Sequence, residues 1–146
     1  MSEAKHSGAS MKLDLSALEK AIMSLDRALT RASGTPGDEE LRDAVIQRFE
    51  YTYELCWKMV KRRVESDAPV PSDVDAMSFP VLMRDAAERG LVLDVTRWLE
   101  YREQRNVTSH TYDAAKAQSV FETAGPFLSD ARFLLAELQR RNDDRS

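Results

Sequence analysis

Sulfur and ring nitrogen are scarce in this sequence: 146 residues hold one cysteine and two histidines. Cys56 has no partner for an internal disulfide, which fits a reducing, cytoplasmic compartment. His6 falls in a small, polar N-terminal stretch, leaving His110 as the one histidine of the folded part. A Cys/His zinc site within one chain is therefore excluded. A carboxylate Mg²⁺ site stays open, and no cofactor is expected. Glycine and proline number five each and fall mostly between periodic segments, which disfavours a turn-rich β fold. No segment alternates with period two over a useful length. There is no glycine-rich phosphate loop, no paired-cysteine motif and no internal repeat. No apolar run approaches the length of a bilayer span, and no signal-peptide pattern is present. Basic charge is also short. With 21 Lys and Arg against 25 Asp and Glu, the formal net charge is −4, so nucleic acid could be held only by a local basic patch.

What is present is helical periodicity over the length of one domain. Residues 1–11 are expected to form a disordered tail, 12–141 the folded domain and 142–146 a frayed end. The first helix is expected from about Lys12 to Arg31, with Leu18, Ile22, Leu25 and Leu29 as one apolar stripe. The second, from about Asp38 to Ser66, carries Val45, Phe49, Thr52, Cys56, Val60 and Val64 on one line. Tyr53, Leu55, Trp57 and Met59 widen that surface, which marks a helix central to a bundle or one with a second partner. Lys58, Lys61, Arg62 and Arg63 make its last turns basic, a pattern open to interaction with the negative helix end or with RNA. Asp67 to Ala76 reads as a loop. Ser78 caps a short helix that Gly90 stops. Asp94 starts the next helix, with Leu93 and Trp98 spaced as a hydrophobic staple. The last helix runs from about Asp113 to Arg141 with Val120, Phe121, Ala124, Leu128, Ala131, Leu135 and Leu138 facing inward. A kink is expected at Gly125-Pro126. The fold class is all-α, an antiparallel up-and-down bundle of four main helices plus one short helix.

The densest chemistry lies in Arg105-Asn106-Val107-Thr108-Ser109-His110-Thr111-Tyr112. An unbroken helix would rotate about 140° between Arg105 and His110. For both to face one target, the helix must loosen between them or two copies of the chain must meet. Given convergence, an imidazole can move a proton and a guanidinium can hold a phosphate and stabilise added negative charge. That pair suits metal-independent RNA cleavage, with the second proton transfer supplied by the His of another copy. The alternative is structural: His110 caps a helix end and Arg105 pairs with Glu100, Glu103 or Asp113. Glu50 and Glu54 at i, i+4 read as solvated or ion-paired acids, with Glu54 the better placed to orient Arg105. Trp57, Trp98 and Tyr101 read as packing or dimer-interface aromatics, with base stacking as the other reading, and Cys56 as an inert core thiol.

The stretches Arg48-Phe49-Glu50-Tyr51-Thr52-Tyr53-Glu54-Leu55-Cys56-Trp57-Lys58, Trp98-Leu99-Glu100-Tyr101-Arg102-Glu103-Gln104-Arg105-Asn106 and His110-Thr111-Tyr112 resemble the HEPN superfamily. The specific branch is nucleotidyltransferase substrate-binding-protein-like and includes HepT-type toxins. The resemblance spans most of the chain. It implies a homodimeric helical bundle in which Arg105 and His110 of two protomers line a shared cleft and cleave RNA. It also implies a nucleotidyltransferase antitoxin that transfers AMP to Tyr112. Under that resemblance Arg105 would bind and polarise phosphate, Asn106 would help orient it and His110 would transfer protons, with Tyr112 as the modification target. A non-catalytic partner subunit of a nucleotidyltransferase is the alternative.

Overall fold

The computed structural model describes residues 12–144. The tail expected over residues 1–11 lies outside the described residues, as do 145–146. The chain folds as an all-α bundle, with helices α1 (Ser16–Gly34), α2 (Glu39–Asp67), α3 (Ser72–Asp75), α4 (Phe79–Glu88), α5 (Val95–Val107) and α6 (Ala114–Asp144). A three-residue 3₁₀ turn, Thr108–His110, joins α5 to the approach to α6.

α1 starts four residues later than its periodicity implies. The Asp14 carboxylate accepts the backbone N–H of Ser16 and its hydroxyl, which ends the non-helical lead-in there. Leu13 and Leu15 are still buried ahead of the helix. At the other end of the chain, α6 continues past Arg141 to Asp144. The Asn142 side chain bridges the Leu13 backbone, accepting from its N–H at 3.1 Å and donating to its carbonyl at 2.9 Å. Residues 142–144, expected to fray, are therefore helical, and Asn142 ties the helix end to the lead-in of α1.

α2 is the central element, and it contacts every other helix and the 3₁₀ turn. Asp38 caps it by accepting from Leu41 N–H. Val45, Phe49, Thr52, Cys56, Val60 and Val64 are each 0% exposed, so the whole expected stripe is interior. Arg63 is fully buried as well. The basic run thus divides: Lys61 pairs with Asp75 at 2.8 Å, and none of the four lies in the final turn, outside the reach of the dipole.

Within the expected loop, Pro71, with φ preset near its helical value, leads into the one-turn helix α3, which buries Val74. Ser78 caps α4, and Gly90 ends it at a φ of 79°, where a side chain would be strained. Asp94 caps α5 by accepting from Arg97 N–H. The Leu93 staple does not form: Leu93 is 66% exposed, while Trp98 turns into the core. α6 is continuous through Pro126.

Phe127 is the centre of the aromatic core. It packs edge-on against Phe49 at 5.0 Å, Trp98 at 5.9 Å and Tyr101 at 5.2 Å between ring centroids. These edge-to-face geometries suit the ring quadrupoles. Beside them, the buried Asp130 carboxylate accepts from Arg97 Nε at 3.0 Å and Nη2 at 2.7 Å, and from the Tyr101 hydroxyl. Burial first, then the Asp130 hydrogen bond, pushes the Tyr101 phenol above its ordinary range. Trp98 and Tyr101 are thus packing residues that fix α5 on α6, and the site at the end of α5 inherits their position.

Cys56 is fully buried, and that burial raises its thiol pKa. A maleimide is expected to label Cys56 only in denaturant, with native protein essentially unmodified. Stoichiometric labelling of the native chain, read by mass, would contradict this packing.

Candidate functional site

The site forms where α5 gives up its helical ladder. Three hydroxyls bond carbonyls three residues back: Thr108 to Arg105 at 2.7 Å, Ser109 to Asn106 at 3.2 Å and Thr111 to Thr108 at 3.3 Å. Such local side-chain bonds compete with the i−4 ladder and draw the chain into the tighter 3₁₀ step. Asp113 then caps α6, its carboxylate accepting from Ala115 and Lys116 N–H. The loosening expected near Val107-Thr108 therefore occurs, between Arg105 and His110.

Arg105 reaches back to α2. Its Nε donates to Glu54 Oε2 at 3.0 Å, and Nη2 lies 3.2 Å from Glu50 Oε2. Nη1 approaches the Thr108 hydroxyl at 3.5 Å. Glu50 and Glu54, one helical turn apart, would repel one another; a shared guanidinium resolves that. These are not the partners Glu100, Glu103 or Asp113 that the structural alternative named. Glu54 is half-buried and its second oxygen accepts from the Trp57 indole N–H at 3.1 Å. Glu50 is the site residue that sequence reasoning left on the surface. The available signal was its spacing from Glu54.

His110 and Tyr112 sit on the following turn. His110 is exposed, and its carbonyl accepts from Asp113 N–H. Its ring centroid is 6.4 Å from that of Tyr112. Tyr112 is 88% exposed. Within the chain no hydrogen bond joins Arg105 to His110. Arg105 is held with Glu54, Glu50 and Thr108, whereas His110 faces Tyr112. Asn106 is exposed beside Arg105 and lines a cavity with it. Among the described residues, no group of three or more His, Cys, Asp or Glu is placed to hold a metal ion. None of the described helices is long and apolar enough to cross a membrane.

A family model described as nucleotidyltransferase substrate binding protein like matches residues 13–140. The chain belongs to this family. Among its relatives is a protein of Haemophilus influenzae named "Probable ribonuclease HepT", 38% identical over 139 residues, covering 90% of this chain and 95% of that protein. A solved structure from the same organism is described as the fold of a substrate binding domain of a nucleotidyltransferase. It superposes with a TM-score of 0.81 at 36% identity, covering 86% of this chain and 99% of that one. A crystal structure of a Thermus thermophilus protein matches with a TM-score of 0.67 at 27% identity, covering 83% and 98%. The family expected from the three motif stretches and the all-α fold expected from the helical periodicity are thus those of the chain.

Proposed function

We propose that this family member is a HepT-like toxin, a metal-independent endoribonuclease acting as a homodimer. A nucleotidyltransferase antitoxin silences it by adding AMP to Tyr112. The observation that carries the reading is the seam at the end of α5, where an anchored guanidinium stands one turn before an exposed imidazole and phenol. Arg105 donates from Nε to Glu54 and from Nη1 to Thr108, and its Nη2 forms an ion pair with Glu50. A guanidinium held from one side in this way can offer its remaining N–H groups to a phosphate.

In the reaction, one imidazole takes the proton of a ribose 2′-hydroxyl. That oxygen attacks the adjacent phosphorus, and Arg105 stabilises the added charge. The bond to the 5′-oxygen breaks, and a second imidazole protonates that oxygen. The products are a 2′,3′-cyclic phosphate and a 5′-hydroxyl. With one folded-domain histidine per chain, the two imidazoles come from two copies. Asn106 orients the phosphate, and Glu54 holds Arg105 in place. For silencing, the Tyr112 oxygen attacks the α-phosphorus of ATP, diphosphate leaves and the phenolic proton is lost. The added nucleotide then crowds His110.

Purified protein is expected to degrade single-stranded RNA without added metal, and Arg105→Ala to lose about 10²-fold or more of that rate. With ATP, Mg²⁺ and the nucleotidyltransferase, the chain should gain the mass of one AMP, and Tyr112→Phe should not. Equal RNA turnover in wild type and Arg105→Ala rejects the catalytic assignment. An unchanged mass gain in Tyr112→Phe moves the modification elsewhere.

One observation favours a second reading, a non-catalytic subunit that docks on a nucleotidyltransferase. Glu50 and Glu54 already neutralise Arg105 within the chain. That reading expects tight partner binding with no RNA turnover.

A further inference from the structure

Beside Arg105, between α2, α3, α4 and α5, lies an open cavity of about 410 Å³, within the range of small-ligand sites. We infer that this cavity is a base-binding subsite, which takes one unpaired nucleobase next to the phosphate held by Arg105. The inference rests on the RNA-cleaving reading for that phosphate.

The walls carry the argument. Trp57 and Phe79 are half-buried rings that line the cavity. Every base has an apolar π face, so aromatic walls of this kind accept bases with little regard to sequence. The Arg102 guanidinium lies 4.9 Å from the Phe79 ring centroid. Arg102 and Arg105 both line the same space, with Glu54 paired to Arg105, so the aromatic wall ends at two guanidinium groups. That combination matches a group with a flat uncharged part and an attached phosphate. Asn106 adds an amide with both donor and acceptor character at the Arg105 end. The opposite rim is closed by the Lys61–Asp75 ion pair, whose two residues also line the cavity. Base-paired RNA hides its base faces within the stack, so the occupant is an unpaired base.

Glu54 joins the slot to the reacting end. One of its oxygens accepts from the Trp57 indole and the other from Arg105 Nε. A base resting on Trp57 therefore sits one carboxylate away from the guanidinium that holds its phosphate. This makes Trp57, Phe79 and Arg102 residues that select and place the substrate strand, distinct from the groups that move protons.

The test is equilibrium binding of 5′-UMP and 5′-AMP to the full chain, by calorimetry, against ribose 5-phosphate as the base-free probe. Mononucleotides are expected to bind at least about tenfold tighter than ribose 5-phosphate. Trp57→Leu should remove most of that preference, and Arg102→Gln, on an exposed side chain, should weaken both ligands. Equal affinity for mononucleotide and ribose 5-phosphate overturns the subsite. So does a preference unchanged in Trp57→Leu, which would place the base elsewhere. RNA cleavage by the wild-type chain is measured separately. Its absence sinks the nuclease reading, while the base preference still decides whether the subsite exists.

Discussion

Alanine in place of His110 removes both imidazoles of the dimer and is expected to lower RNA cleavage by at least about 10²–10⁴-fold, the usual weight of a single general acid or base. Thermal unfolding should barely move, because the imidazole is exposed and such surface changes stay within about 0.5 kcal/mol. Among the described residues His110 is the one histidine, so no other described imidazole can take over either proton transfer. Arg105 would still hold phosphate, since Glu50, Glu54 and Thr108 position it independently of His110. RNA binding by His110→Ala should therefore survive the loss of turnover, and Arg105→Ala should weaken both. Mixing wild type with His110→Ala gives a sharper result. If one cleft needs an imidazole from each of two copies, the mixed dimer holds only one and should be as slow as His110→Ala alone. Full activity in His110→Ala, or mixed dimers that keep half of the wild-type rate, would remove the two-copy proton-transfer scheme.

Phe127→Ala is expected to cost about 3–5 kcal/mol of folding stability, the range for deleting a buried aromatic ring. The ring is 0% exposed and meets Phe49, Trp98 and Tyr101 edge-on. The deletion would leave a cavity where α2, α5 and α6 meet, and rings of this size cannot close it by small shifts. Aromatic pair terms of about 0.5–1.5 kcal/mol each are part of that loss rather than an addition to it. Denaturant unfolding measures the change directly, as a lower midpoint at unchanged slope. The melting temperature should fall by about 10–20 °C. A loss under about 1 kcal/mol would mean that the core can rearrange around the gap. Because Trp98 and Tyr101 seat α5, the same variant should also reduce RNA cleavage at temperatures where it remains folded.

Core reading from sequence succeeds where apolar residues repeat at one spacing. The α2 stripe is interior at all six positions, since a stripe of that length leaves a helix one way to bury it. It misses Phe127, although that residue stands seven positions after Val120 and three after Ala124. Gly125-Pro126 beside it reads locally as a kink, and α6 carries the proline inside a continuous helix. Leu93 shows the opposite error. Its spacing from Trp98 fits a staple, but Trp98 gains more from the aromatic core, and Leu93 is left in solvent. Ser72–Asp75 and Asn142 escape a reading by pattern, because one turn of helix and one side-chain clamp have no periodicity to detect.

Composition and periodicity alone determined an all-α domain with one cysteine and a string from Arg105 to Tyr112 dense in phosphate-binding and proton-carrying residue types. Those properties depend on which residue types exist and how they repeat, and both are fixed along the chain. The tertiary structure decided who holds Arg105. Glu50 and Glu54 stand about fifty positions away in sequence, and only the packing of α5 on α2, locked by Trp98, Tyr101, Phe127 and Asp130, carries them to it. It likewise assembled the slot beside that arginine from four helices, because a concave surface belongs to no single segment.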